Sequence, residues 1–132
     1  MEQEAYLAST EFIDSDDARL QEFARKVIAG VRDDVSRAVK LYYAVRDEIL
    51  YDPYYAGAER RYFRASDCLC AKRGFCIPKA ALLAAAARAV GIGARVAYAD
   101  VRNHLTTKKL TDLMGGDVFI WHSYTELFLA GQ

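Results

Sequence analysis

The chain has 132 residues, enough for one domain with its own hydrophobic core. Apolar residues make up 53%, and 18 basic residues balance 18 acidic ones, which argues against a disordered chain and gives no reason to expect nucleic acid or a membrane as a partner. No apolar run reaches the roughly 18 residues of a membrane span, and the acidic residues 1–4 do not resemble a signal peptide. We therefore expect a cytoplasmic protein with reduced cysteines.

The first helix is predicted over residues 14–29. Asp14, Ser15 and Asp16 are all suitable N-cap residues, and Gly30 suits the C-terminal end. Apolar residues recur at spacings of three and four, which places them on one helix face, namely Leu20, Phe23, Ala24 and Val27. This helix is therefore expected to pack by that face.

A second helix is predicted from Asp33 or Asp34 to about Leu50, and Asp52-Pro53 ends it. Its apolar positions also follow the helical period, namely Val35, Val39, Tyr42, Val45 and Ile49. The polar, tyrosine-rich segment that follows, as far as Ala65, is expected to be a loop.

The third long helix, over residues 76–90, differs from the first two. Ser66-Asp67 is expected to cap one short helical turn, and Gly74 then permits a sharp entry into the long helix. Lys79 and Arg88 are its only charged residues, and alanine dominates the rest. A helix that is apolar nearly all round is a buried one, which its neighbours approach closely.

Strands are predicted in the last third of the chain. One contains Val96, Tyr98 and Val101, and a short helix over residues 106–113 follows it. Residues 117–130 are predicted to form a strand with apolar groups on both faces, which is typical of a central strand. Because helices come first and strands last, the pattern favours an α+β fold with an antiparallel sheet over a doubly wound sheet.

Cys76 is the first residue of the predicted buried helix. Pro78 is tolerated two residues later because the first N–H groups of a helix have no partner within it. The helix dipole and those N–H groups favour the thiolate, which is the reactive form, and they can also face an oxyanion during acyl transfer. The position alone is also compatible with a small buried hydrophobic residue, as free cysteines often are.

Cys68 and Cys70 precede Cys76 at a spacing that is unusual for zinc. A thiolate metal site shared with Cys76, completed by His104 or His122, is one alternative, and a resolving thiol for Cys76 is another. The simplest expectation is that both side chains pack on the short helical turn, and that the protein needs no metal or cofactor.

His122 interrupts an apolar strand between Trp121 and Ser123, so its imidazole is expected to be partly buried and to need a partner. It is either a satisfied core histidine or the base that a thiol nucleophile requires. Glu126 shares its strand face but lies about 13 Å along the strand, too far to orient the imidazole. His104 follows a strand and is expected to lie at the surface.

Four segments between residues 66 and 131 occur in an order typical of one superfamily. They are Ser66-Asp67-Cys68-Leu69, Gly74-Phe75-Cys76 with Ala80-Ala81-Leu82-Leu83, the run from Arg88 to Arg95, and His122-Ser123-Tyr124-Thr125-Glu126-Leu127. This order resembles the transglutaminase-like superfamily, whose cysteine and histidine belong to a Cys-His-Asp triad in a papain-like fold. The resemblance implies Cys76 as the nucleophile and His122 as its base.

The third member of the triad is not assigned within the chain. In the family it follows a tryptophan a little beyond the histidine strand, so the resemblance places it beyond Gln132. Gly131-Gln132 is expected to begin a hairpin turn. Residues 1–132 are therefore expected to form a single domain that is truncated at its C-terminus, with residues 117–130 exposing a strand edge through which copies of the chain associate. The resemblance also suggests Tyr51, just after the second helix, as an oxyanion donor.

The resemblance implies thiol-dependent acyl transfer on an amide bond of a peptide or protein, as in a cysteine protease, an amidase or a transglutaminase. Hydrolysis is the more general expectation, although nothing in the sequence identifies the acceptor. Two alternatives are a binding domain that kept the fold without catalysis and a cysteine cluster for metal or redox chemistry.

Overall fold

The computed structural model describes residues 2–102, 108, 109, 112 and 118–132. Helices occupy most of the first ninety residues and the two long strands come last, which confirms the predicted α+β class. In chain order the elements are α1 (Glu2–Ala5), α2 (Ala18–Val27), α3 (Asp34–Glu48), β1 (Leu50–Tyr51), a 3₁₀ helix (Arg60–Phe63), α4 (Ala65–Ala71), β2 (Arg73–Gly74), α5 (Cys76–Ala89), β3 (Ala94–Arg102) and β4 (Val118–Leu127).

The predicted helix over residues 106–113 falls mostly outside the described residues. In the part of the chain that the structure does describe, each helix is too short or too polar to cross a bilayer.

The N-cap residues of two helices differ from those predicted. The carboxylate of Asp17, rather than that of Asp14, accepts hydrogen bonds from the first turn of α2. Asp14 instead accepts a hydrogen bond of 3.0 Å from the Ser66 N–H in the first turn of α4. The expectation that Ser66-Asp67 caps this turn is therefore wrong, because the acceptor comes from a distant segment. Asp33 caps α3, as predicted.

The buried face of α3 is only partly the one that the sequence predicts. Val45 and Ile49 are buried, but Val35, Val39 and Tyr42 are between 47% and 50% exposed. Ala38 and Leu41 are buried in their place. Two neighbouring stripes of this helix are apolar, both with spacings of three and four, so periodicity alone does not choose between them.

Helix α5 is buried along most of its circumference, as predicted. It lies between two hydrophobic clusters and contributes to both. The first cluster includes Leu20, Val45, Ile49, Leu82 and Ala85. The second includes Ala24, Leu41, Ala84, Ala87 and Ile92. Because alanine side chains are small, neighbouring elements approach the α5 backbone closely on both sides, and the position of its first residue, Cys76, is fixed with it.

A buried arginine fastens the C-terminal end of α5. The Arg88 guanidinium donates to the Ala94 carbonyl at 2.6 and 2.9 Å and to the Ala8 carbonyl at 2.7 Å. Burial lowers the pKa of Arg88, because its charge has been taken out of water. The start of β3 and the N-terminal segment are therefore both tied to the end of the central helix.

Strands β3 and β4 form an antiparallel ladder from the Ala94–Leu127 pair to the Arg102–Val118 pair. Within the described residues β4 pairs with β3 alone, so the prediction of a central strand is not met there. After β4, Leu129 and Gln132 exchange hydrogen bonds of 2.8 and 2.9 Å. Ala130 and Gly131 lie between them with φ of +52° and +82°, the sign expected in a type I′ hairpin turn. The turn thus occurs one residue before the predicted position.

A short parallel ladder begins at Leu50, where the second helix is predicted to end. Leu50 pairs with Arg73, and Tyr51 pairs with Gly74. A side chain at Gly74 would place its Cβ 2.8 Å from Cys68 Sγ, so only glycine allows this close approach. The ladder holds Tyr51 beside the start of α5.

Enlarging the buried alanines tests the central position of α5. Ala84 and Ala85 are both fully buried and belong to the two different clusters. Replacing either with leucine is expected to destabilise the domain by about 1–3 kcal/mol, because the packed neighbours must move apart. The free energy of unfolding is measured from urea denaturation.

The exposed Ala18 at the start of α2 provides the matched control. Ala18→Leu should change the free energy of unfolding by less than about 0.5 kcal/mol. Unchanged denaturation midpoints in both Ala84→Leu and Ala85→Leu would contradict the central packing of α5.

Candidate active site

An open pocket of about 320 Å³ lies where α3, β1, α5 and β4 meet. Cys76, His122 and Tyr51 all line this pocket. The structure therefore brings together the three residues that the sequence singled out as nucleophile, base and oxyanion donor, although they belong to three separate elements. Other residues of its wall are Tyr42, Arg46, Lys79, Ser123, Tyr124 and Thr125.

Cys76 begins α5 and is partly exposed to the pocket. The N-cap residue, Phe75, has no side-chain hydrogen bond to the first turn, and Pro78 has no N–H to offer. The backbone N–H groups of the first turn are therefore not capped by the residue that precedes them. They present the positive end of a buried helix to the thiol, as the sequence predicts.

Tyr51 places its hydroxyl beside Cys76. The pKa of Tyr51 is raised to about 12. Burial is the largest cause, and the charge of Cys76 and a hydrogen bond between the two side chains add to it. The backbone N–H of Cys76 also faces this hydroxyl and acts in the opposite direction. Tyr51 therefore stays protonated at neutral pH, and its hydroxyl lies between the thiol and the backbone N–H of Cys76.

His122 is partly buried on β4, as predicted. Burial lowers the pKa of His122 below its ordinary value of 6.5, because the charged imidazolium loses hydration. The imidazole is therefore neutral at pH 7, which is the form that accepts a proton.

A side-chain hydrogen bond sets the position of β4 on α5. Thr125 Oγ1 donates to the Ala80 carbonyl over 2.7 Å. Thr125 is three residues after His122 on the strand, and Ala80 is four residues after Cys76 on the helix. The bond therefore fixes the register between the elements that carry the two predicted catalytic residues.

The other two cysteines have different environments. Cys68 is buried, as predicted, and burial raises its pKa to about 12, so its thiol stays protonated. Cys70 is exposed, which contradicts the expectation that it packs on the turn, because the short helix α4 presents that side to solvent. Among the described residues, no three histidine, cysteine or acidic side chains come together as metal ligands would.

Glu126 is engaged away from the pocket. Arg95 donates to its carboxylate over 2.7 and 2.9 Å across the β3–β4 ladder, and the Tyr124 hydroxyl donates to its other oxygen. These contacts agree with its exclusion as the residue that orients His122. His104 lies outside the described residues, and the third triad member is still predicted beyond Gln132.

Two residues of the pocket have features that the sequence does not predict. Lys79 Nζ donates to the Ile49 carbonyl over 2.7 Å, just before β1. Its position one helical turn after Cys76 was the available signal. The hydroxyl of Ser123, a residue that is 4% exposed, has no hydrogen-bond partner within the described residues. The sequence shows that Ser123 follows His122, but the burial of the Ser123 hydroxyl depends on the packing of β4 against α5.

The contribution of the Thr125 bond can be measured directly. Thr125→Val keeps the shape of the side chain and removes the donor, so it is expected to lower the free energy of unfolding by about 1 kcal/mol. Thr125→Ser keeps the hydroxyl and serves as the control, with the hydrogen bond retained. Chemical denaturation of both variants gives the values. Equal stability of Thr125→Val and the unsubstituted protein would show that the bond does not hold β4 on α5.

The profile of the Transglutaminase-like superfamily matches residues 21–132. The sequence has no significant match among curated proteins.

Two solved structures have a similar fold. A crystal structure of a "putative cysteine protease" from Cytophaga hutchinsonii superposes with a TM-score of 0.74 over 99% of this chain, at 20% sequence identity. A "putative protease" from Parabacteroides distasonis superposes with a TM-score of 0.58 over 86% of this chain, at 16% identity. The match spans 39% of the first protein and 21% of the second. At these identities the two structures show a shared fold, and together with the profile match over most of the chain they establish that the chain belongs to the transglutaminase-like superfamily.

Proposed function

We propose that residues 1–132 form one domain that catalyses thiol-dependent acyl transfer on amide bonds, with water as the acceptor. The observation that carries this proposal is the convergence of Cys76, His122 and Tyr51 on one pocket. The names of the two similar structures, a cysteine protease and a protease, support a peptide or protein substrate. Hydrolysis of a peptide amide is the simplest reaction that uses all three side chains.

In the first half of the reaction His122 accepts the proton of the Cys76 thiol, and the thiolate attacks the carbonyl carbon of the amide. A carbon–sulfur bond forms, and the carbonyl oxygen takes the negative charge. When the carbonyl re-forms, the carbon–nitrogen bond breaks. The amine leaves with the proton that His122 held, and the acyl group remains as a thioester on Cys76.

In the second half, water replaces the amine. His122 takes a proton from a water molecule, whose oxygen attacks the thioester carbonyl. The carbon–sulfur bond breaks, the carboxylic acid is released, and the proton on His122 returns to the Cys76 sulfur. The scheme consumes one water for each amide bond and needs no cofactor.

The negative oxygen formed in both halves needs hydrogen-bond donors. The Tyr51 hydroxyl lies beside both the thiol and the backbone N–H of Cys76, so we assign the hydroxyl and this N–H as the two donors. A hydroxyl with a pKa of about 12 is protonated throughout the neutral range and remains a donor. The residue that orients the His122 ring stays a prediction, placed by the family resemblance beyond Gln132.

Substitution of the three residues tests the proposed roles. Cys76→Ala should abolish hydrolysis, since the nucleophile is gone, and His122→Ala should reduce kcat/KM by about a thousandfold or more. Tyr51→Phe should reduce kcat by about a hundredfold, because one of two oxyanion donors is lost. Turnover is followed with a pool of fluorescence-quenched peptides.

Cys70→Ser is the matched control, because Cys70 is exposed and does not line the pocket. It should retain full activity. Suppose that peptides bind, but that the unsubstituted protein cleaves them no faster than Cys76→Ala does. This result would contradict the proposed enzyme and indicate a non-catalytic binding domain.

The pH dependence of kcat/KM provides a second test. Neutral His122 is the active form, so activity is lost as pH falls through the pKa of His122. Because burial lowers that pKa, the acid limb should have its midpoint below 6.5. The measurement is kcat/KM from about pH 4.5 to 8 at constant ionic strength. A midpoint above 6.5 would contradict the assignment of a partly buried, neutral imidazole as the base.

A further inference from the structure

The charged side chains that line the pocket of Cys76 are positive, apart from any contribution of Cys76 and His122 themselves. Lys79 and Arg46 both line it, and no Asp or Glu is among its described lining residues. Arg46 is compensated in part, since its guanidinium donates to Asp47 over 2.8 Å and lies 4.5 Å from the centre of the Tyr43 ring. Lys79 is therefore the main source of uncompensated charge in the wall.

The state of Lys79 indicates that it lacks a close negative partner. Burial lowers its pKa, even though Cys68 and Asp47 act in the opposite direction. The neighbouring groups thus do not compensate for the hydration that the ammonium has lost. One of its donors is used by the Ile49 carbonyl at 2.7 Å, and an ammonium has three. Donor capacity and charge are both left for a ligand.

The position of Lys79 relates it to the reacting bond. It lies one helical turn after Cys76 on α5, and both residues line the same pocket. A group bound by Lys79 therefore belongs to a part of the substrate near the scissile amide.

A second polar group in the same wall also points to a ligand. The Ser123 hydroxyl is buried, with the residue 4% exposed, and has no hydrogen-bond partner among the described residues. A buried hydroxyl without a partner is unfavourable, so a hydrogen bond formed when a ligand occupies the pocket would stabilise the complex. Of the two groups, the partly exposed Lys79 ammonium is the one open to an oxygen-rich ligand in the pocket.

We propose that this pocket selects amide substrates that carry a carboxylate near the scissile bond, and that Lys79 binds that carboxylate. The inference rests on the proposed function for the meaning of the scissile bond. It adds a substrate class, an acidic peptide, and a specificity-determining residue that neither the family nor the similar structures provide.

The test measures binding by the Cys76→Ala protein, in which no cleavage occurs. The probes are labelled peptides in which Glu replaces Gln at one position at a time, and fluorescence anisotropy gives Kd. At one position the Glu peptide should bind about tenfold more tightly than its Gln partner, because a charge-assisted hydrogen bond replaces a neutral one. Adding Lys79→Met should abolish this ratio, and Lys79→Arg should keep it.

Lys26→Met is the matched control, because Lys26 is exposed on α2 and does not line the pocket; it should leave the ratio unchanged. Equal Kd values for every Glu and Gln pair, no binding of any peptide, or a ratio that survives in Lys79→Met would each overturn the inference. Selective binding of Glu peptides that the unsubstituted protein does not cleave would support carboxylate binding by Lys79 and remove the proposed function. Cleavage without a preference for Glu would leave the proposed function standing and overturn the inference.

Discussion

The packing of α5 between two hydrophobic clusters is the constraint on which the rest of the site depends. Its alanines let α2, α3 and the β3–β4 sheet approach closely, and Arg88 fastens its far end to the backbone of two other segments. A nucleophile on the first residue of such a helix has little freedom to move. The same packing points the uncapped N–H groups of the first turn into the pocket, where a negative charge would form.

Three tethers bring the remaining groups to the thiol. Thr125 bonds to Ala80 and sets the position of the strand that carries His122. Lys79 bonds to the carbonyl of Ile49, and the short β1–β2 ladder continues from there, so that Tyr51 lies beside Cys76. The first contact joins α5 to β4, and the other two join α5 and its entry to residues 49–51. Lys79 therefore has two roles in this account, since it supports the β1 segment and also supplies charge to the pocket.

The sequence predicts those features that depend on local pattern. The alanine-rich helix, its start at Cys76 and the partial burial of His122 follow from composition and from neighbours in the chain. The features it did not predict depend on contacts between distant segments. Asp14 caps α4 from more than fifty residues away, and the two-residue ladder of Tyr51 has no periodicity to detect. The face of α3 was misassigned because two adjacent stripes are both apolar.

The chemistry of the pocket is likewise only partly predictable from the sequence. The family order suggested Cys76, His122 and Tyr51, but the unpartnered hydroxyl of Ser123 and the uncompensated charge of Lys79 are visible only when the pocket is assembled. The spacing of Lys79 from Cys76 is visible in the sequence, but neither the lysine nor the serine has a pattern that predicts a role in the pocket. Their meaning comes from burial and from the absence of a carboxylate among the described lining residues.

The central claim, that the thiol of Cys76 is the acyl acceptor in this pocket, is tested most directly by the mass of its acyl adduct. The protein is mixed with a peptide ester, quenched in acid within the first turnover and digested with trypsin, which places Cys76 in residues 74–79 and Cys70 in residues 65–72. The account predicts a thioester on the first fragment, and almost none of it when His122→Ala is used. Acyl groups on the exposed Cys70 with an unmodified Cys76 would contradict the account.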